Sequence, residues 1–298
     1  MSLLDKFAAV QIDTDSRISP EDVAFCRNVK AMYDNAAAFY KEQITLYDKY
    51  KTVEYDIKGD TEEYKYLGFI STNFADFEAT KQLVSNQKTF IETIVRHFRS
   101  KYDVTLSDSL AKDRLLPKKP DYYERDEETL LAYNKSMCDL VLTYEQVVDE
   151  VISQLGGLSF AERAVKELKR KCYTAAHNYK GEANYIIKNN TMTFSSLCCY
   201  NSWYSYPDWS ISDGDKNILW GIVRFETGQH NSCPWQMKIL FGYRINEALY
   251  ELDGFEKVLS IKLFKNGRVD IKFATPALAQ QFAEEYLTEQ PKVEYYDD

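Results

Sequence analysis

The stretch Leu259 to Leu287 constrains the fold of this chain most. It reads LSIKLFKNGRVDIKF and continues ATPALAQQFAEEYL. Leu259, Ile261 and Leu263 alternate with polar residues, as do Val269, Ile271 and Phe273. That is the period of half-buried strands. A two-residue Asn266-Gly267 turn would send the two apolar rows to opposite faces. A three-residue loop, Lys265-Asn266-Gly267, pairs Leu263 with Val269, Ile261 with Ile271 and Leu259 with Phe273, so both rows share one face. It also places Gly267 at the left-handed position of a type I turn with a bulge. Thr275 as N-cap and Pro276 at the first helical position then start a helix. Its stripe, Leu278, Phe282, Ala283, Tyr286 and Leu287, covers the hairpin. A two-stranded hairpin is marginal alone, so further strands are expected upstream.

The first part reads as long helices. Ser19-Pro20-Glu21-Asp22 is a start signal, with Ser19 capping and Asp22 reaching back. Phe25, Val29, Met32, Ala36, Phe39, Leu46 and Tyr50 follow at spacings of four and three, with Gln43 filling one seam position. The spacing predicts an amphipathic helix to about residue 51, and its row has the look of a helical hairpin seam. Val53, Tyr55 and Ile57 alternate briefly, as in a short strand or connector. A second helix is expected from about Asn73 to Lys101, with Phe74, Phe77, Leu83, Val84, Phe90, Ile91, Ile94, Val95 and Phe98 inward. Tyr102 to Leu106 reads as a short strand, and Pro117 to Pro120 as a loop. A third helix is expected from Glu127 to Leu155, stopped by Gly156-Gly157. Ser159 and Glu162 form a capping box for a fourth, reaching His177.

Near Lys180-Gly181 the character changes to aromatic and β-branched residues with frequent turns. Tyr185, Ile186 and Ile187 begin this stretch, and Asp213-Gly214-Asp215 is a turn. Leu219–Phe225 and Met237–Tyr243 are expected as strands, and Asn246–Leu252 as a short helix. The fold class is therefore α+β: a long-helix bundle over residues 1–178, then a smaller domain over 179–298 with an antiparallel sheet and the terminal hairpin and helix.

Composition sets limits. A chain of 298 residues with 45% hydrophobic and 28% charged residues is globular in type. A net charge of −9 argues against a generally basic nucleic-acid binder. No apolar run approaches membrane-spanning length, and the first residues are short and acidic for a secretory signal. The expectation is a cytoplasmic protein with reduced cysteines and no membrane partner.

Two segments resemble a family of bacterial proteins classed only as a domain of unknown function and common on plasmids and prophages. Tyr200-Asn201-Ser202-Trp203 stands where that family tends to have Tyr-Asn-Gly-Trp. Phe264-Lys265-Asn266-Gly267 with Val269 to Phe273 is similar to its Asn-Gly hairpin. Ser202 departs from the usual glycine, and Asp270 stands where a histidine is common. The resemblance covers mainly residues 160–290. It implies a mobile-element setting and no mechanism.

Several constellations carry possible chemistry. Cys198, Cys199, His230 and Cys233 offer four zinc-type ligands, with His230-x-x-Cys233 at a usable spacing. Neighbouring Cys198 and Cys199 in a strand would point to opposite faces, and buried thiols are the ordinary reading. Cys172 with His177 is conceivable as a nucleophile pair but lies in no signature. Asp208, Asp213, Asp215 and Glu226 are close enough in sequence to hold a divalent ion, although Asp213-Gly214-Asp215 is also ordinary turn composition. Tyr200, Trp203, Tyr204, Tyr206 and Trp209 either grip a partner or form core. Arg163, Lys166, Lys169, Arg170 and Lys171 are either a phosphate-contacting strip or a solvated helix face. No cofactor is implied. The chain reads as a non-enzymatic binding or regulatory protein acting on a protein or nucleoprotein partner. The alternative is a nucleic-acid accessory protein.

Overall fold

The computed structural model describes residues 17–59, 68–69, 78–121, 126–202, 208–229, 233–242 and 244–289. It has two compact units. One comprises Met1–Lys101 with Thr105–Gly157, the other Tyr102–Val104 with Leu158–Asp298.

In the first unit, α1 (Pro20–Lys58) runs for 39 residues. It starts as its sequence predicts. The Ser19 hydroxyl accepts the Asp22 N–H at 3.2 Å and donates to the Asp22 carboxylate at 2.6 Å. The helix does not stop near residue 51; the strand expected at Val53 to Ile57 is helix. Glu54 holds Lys58 at 3.0 Å and Lys51 at 3.8 Å, local pairs that favour one more helical turn. α2 (Glu78–Tyr102) buries Leu83, Phe90, Ile91, Ile94, Val95 and Phe98. Phe74 and Phe77 lie outside the described residues.

Two expectations fail here. The segment after α2 is an irregular connector with Val104 and Leu106 buried, followed by α3 (Asp108–Leu115), capped by Ser107. The helix expected over 127–155 is two, α4 (Glu127–Asp139) and α5 (Tyr144–Gln154). Thr143 and Gln146 form a capping box that starts α5 afresh. Buried Gln87 of α2 donates to the carbonyls of Met137 and Leu140, satisfying acceptors left open by the break.

In the second unit, α6 (Phe160–Ala176) begins at the Ser159–Glu162 capping box. Sequence placed this helix in the bundle, with the boundary at residue 178. The structure places it with the C-terminal unit, so the division falls at Gly157/Leu158. Its buried face, Ala164, Leu168, Cys172 and Ala176, explains why. Cys172 packs on Gly221 of α7 (Lys216–Thr227), where an added Cβ would lie 2.7 Å from the Cys172 sulfur. α7 itself corrects the strand expected at Leu219–Phe225. A continuous apolar run does not distinguish a buried strand from a buried helix.

The main sheet comprises β1 (Tyr185–Lys188), β2 (Thr191–Phe194), β5 (Leu249–Glu251), β6 (Val258–Leu263) and β7 (Val269–Phe273), in the order β1-β2-β7-β6-β5. Every pairing is antiparallel. β3 (Cys199–Asn201) and β4 (Asp208–Ser210) form a separate ribbon. The expected helix at Asn246–Leu252 is instead edge strand β5, and Met237 ends a 3-10 turn (Trp235–Met237) in place of the expected strand.

The β6–β7 register is the one that puts both rows on one face: Leu263 opposite Val269 and Ile261 opposite Ile271. Phe264 and Arg268 close the three-residue loop, and Gly267 has φ 89°. A bulge then intervenes. Phe273 pairs with Val258, not Leu259, and Leu259 turns outward. α8 (Pro276–Phe282) is capped by Thr275, which accepts the Leu278 N–H at 3.2 Å. With its final turn, Ala283–Leu287, it lays Phe282, Ala283, Tyr286 and Leu287 into the core.

Candidate interaction surface

The residues singled out for chemistry are mostly committed to structure. Cys198 and Cys199 do face opposite ways, one buried and one exposed. The Cys198 thiol leans toward the carbonyls of Phe264 and Arg268 at 3.7 and 3.8 Å, and burial pushes it up to about 11. Cys233 is half-buried beside the Pro234 carbonyl, and His230 lies outside the described residues. Among the described residues, no group of three His, Cys, Asp or Glu side chains is placed to hold a metal ion. Burial pushes the Cys172 thiol up to about 12, so it is a packing residue and a poor nucleophile.

The carboxylates are also spoken for. Asp208 is buried, with Arg244 at 3.5 Å. Asp213 pairs with Lys216 at 2.9 Å. Glu226 accepts the backbone N–H groups of Glu256, Lys257 and Val258, tying α7 to the start of β6. Asp215 is raised by burial, partly offset by the Ser212 hydroxyl. It lines a hollow of about 160 Å³ with Ser196, Leu197, Cys198, Cys199, Ser210, Ile211 and Ser212. That hollow offers hydroxyls and one carboxylate, with neither a poised base nor an activated thiol.

A serine, carboxylate, imidazole and ammonium do meet elsewhere. Fully buried Asp22 contacts His97 Nε2 at 2.7 Å and Lys101 Nζ at 2.7 Å, with Lys101 3.1 Å from the Ser19 hydroxyl. Ser19 already donates to Asp22 and accepts the Asp22 N–H. The cluster is a clamp between the start of α1 and the end of α2, and the sequence reading missed it. His97 also stacks on Phe25 at 3.8 Å between ring centres.

The aromatic and basic sets divide. Trp209 is core, Tyr200 packs on it at 4.8 Å between ring centres, and the Lys265 ammonium lies 5.0 Å from the centre of the Tyr200 ring. Trp203, Tyr204 and Tyr206 lie outside the described residues. Of the basic strip, Arg163 is buried against Glu167 at 2.7 Å, and Lys169 pairs with Glu285 at 3.3 Å. Lys166 is half-buried, which leaves Arg170 and Lys171 exposed.

What the structure does present is one face of α1. Two apolar rows overlap on this helix. Val23, Cys26, Val29 and Tyr33 turn inward, and the row continues as half-buried Ala37, Tyr40, Ile44 and Tyr47. The neighbouring row, which sequence took to be the inward one beyond Val29, faces out. Met32 is 64% exposed, Phe39 55%, Leu46 46%, Tyr50 55%, Val53 45% and Ile57 76%. Ala36 and Gln43, both half-buried, complete the consecutive a and d positions of a heptad pattern through about four heptads. Scattered exposed apolar residues are ordinary, whereas a row of this kind is a candidate interaction surface. No family model, curated protein or solved structure matches the chain.

Proposed function

We propose that this is a non-enzymatic binding or regulatory protein of a mobile genetic element, a plasmid, prophage or phage, acting on a protein or nucleoprotein partner. Interference with a host defence falls within that role. The observation that carries the binding part is the exposed heptad row of α1. Leaving six large apolar side chains in water costs stability that burial would recover, at about 1.5–3 kcal/mol per fully buried side chain. The occupant that suits such a row is an apolar helical face of a polypeptide. The mobile-element setting rests on the resemblance carried by Tyr200 to Trp203 and by the Asn266-Gly267 hairpin.

Site-specific photo-crosslinking in expressing cells tests this reading. A crosslinker at Phe39 should give discrete polypeptide adducts, and one at Tyr179, exposed on the other unit, should not. The Phe39 adducts should vanish when Leu46→Glu and Val53→Glu spoil the row. Absence of adducts at Phe39 would overturn the reading. So would binding of labelled single- or double-stranded DNA or RNA that survives physiological salt and is lost in Lys171→Glu, which would favour the nucleic-acid alternative.

A further inference from the structure

We infer that the outer row of α1 is self-complementary and pairs with a second copy of this chain as an antiparallel two-helix coiled coil. The inference rests on reading the row as protein-binding and names its occupant. In a heptad frame with Phe39 and Leu46 at d, Glu42 and Lys49 occupy successive g positions beside the seam. Both are exposed. Neither has an opposite charge three or four residues away on its own helix: Glu42 has Ala38, Phe39, Thr45 and Leu46 there, and Lys49 has Thr45, Leu46, Thr52 and Val53. Lys49 rests over the Tyr50 ring at 5.7 Å, with its charge still at the surface.

In an antiparallel pair, g positions face g positions. With the two-fold axis between Ile44 and Thr45, Glu42 of each copy meets Lys49 of the other, giving two equivalent ion pairs. The same register sets Phe39 against Tyr50 of the second copy and Ala36 against Val53, so that seam volumes even out. A parallel pair would stack Ala36 on Ala36 and Phe39 on Phe39. It would also aim Lys49 at Glu54, which already holds Lys58 at 3.0 Å. The e side of the seam is half-buried in its own unit through Tyr40 and Tyr47, so the g side is the open one. From Met32 to Ile57 the seam spans roughly 39 Å at about 1.5 Å per residue. That is the three to four heptads, roughly, that a coiled coil needs.

Sedimentation equilibrium of the purified full chain tests this. The expected result is a reversible monomer–dimer equilibrium. Glu42→Lys and Lys49→Glu should each weaken the dimer about tenfold or more, and the double exchange should restore it. All four proteins should have the same far-UV circular dichroism, because both positions are solvent-facing. A monomer up to about 100 μM, well above useful affinity, would overturn the inference. The crosslinking experiment would then still decide whether the row binds a different protein. A dimer insensitive to Leu46→Glu would place association elsewhere and overturn it too. Loss with Lys49→Glu but not with Glu42→Lys would indicate a parallel pair and overturn the antiparallel arrangement.

Discussion

In the β6–β7 hairpin, Ile261, Leu263, Val269 and Ile271 are at most 1% exposed, whereas on α1 Met32, Phe39, Tyr50 and Ile57 are each more than half exposed. Both rows are mainly apolar and both follow a regular period in the sequence. The difference lies in what the same chain supplies to cover them. The hairpin is followed by a capped helix whose stripe closes over it, and β2 extends the sheet on its open edge. α1 turns one row onto α2 and its neighbours, and the other row has no such cover from the described residues. Periodicity therefore reports that a row wants burial, and only the rest of the chain reports whether the row is buried within the molecule.

The largest expected effect sharpens this contrast. Phe282 is fully buried and stacks on Tyr286 at 5.1 Å, with Phe273 and Phe225 around it. Phe282→Ala should destabilise the second unit by about 3–5 kcal/mol. Phe39→Ala removes the same side chain from the α1 row and should change unfolding stability by no more than about 0.5 kcal/mol at concentrations where the chain is monomeric. Urea unfolding followed by unit-specific signals reads both. A large loss for Phe39→Ala in a monomer would mean that the row is covered by its own chain, and the comparison would fall.

Gly221 offers a second, intermediate test. A Cβ there would meet the Cys172 sulfur at 2.7 Å, with Phe282 carbons at 3.5 Å behind it. Gly221→Ala should therefore cost about 1–3 kcal/mol through overpacking, although alanine is the better helix former. Cys172→Ala in the same chain should return part of that loss, since it vacates the site of the clash. Full additivity of the two changes would show that α6 and α7 do not meet through this contact.

The parts of the fold legible in sequence are those where local chemistry and global packing agree. The Ser19, Ser159 and Thr275 caps, the three-residue hairpin loop and the Gly156-Gly157 stop all follow from signals within a few residues. The failures share a different cause. Leu219–Phe225 is apolar almost throughout, so neither a period of two nor one of 3.6 stands out. The Thr143–Gln146 capping box was readable, but the continuous pattern across 127–155 masked it, and the decisive partner, Gln87, is 50 residues away. On α1 two rows offset by one residue compete, and beyond Val29 the inward one has Tyr33, Tyr40 and Tyr47 against only Ala37 and Ile44. The Leu259 bulge carries no sequence mark. Of the candidate site, the seam spacing was visible but its exposure was not, because exposure depends on which other elements pack against the helix.

The smallest expected effect concerns a surface pair in the bundle rather than either row. Asp108 at the start of α3 is held to about 2, first by the hydrogen bond from Lys112 and then by that from Arg99, against a small opposing effect of burial. The distances are 2.9 Å to each. A carboxyl harder to protonate when folded stabilises the fold fully above its unfolded pKa, about 3.9. That contribution is lost as the pH falls through about 2. Because the side chain is 32% exposed, screening reduces its worth to about 0.2–1 kcal/mol. Asp108→Asn should thus lower the stability of the first unit by that amount at neutral pH. The gap to the parent should narrow as pH falls from about 4 toward 2. A deficit independent of pH over that window would mean that the side chain acts through α3 packing or N-terminal capping, not through its charge.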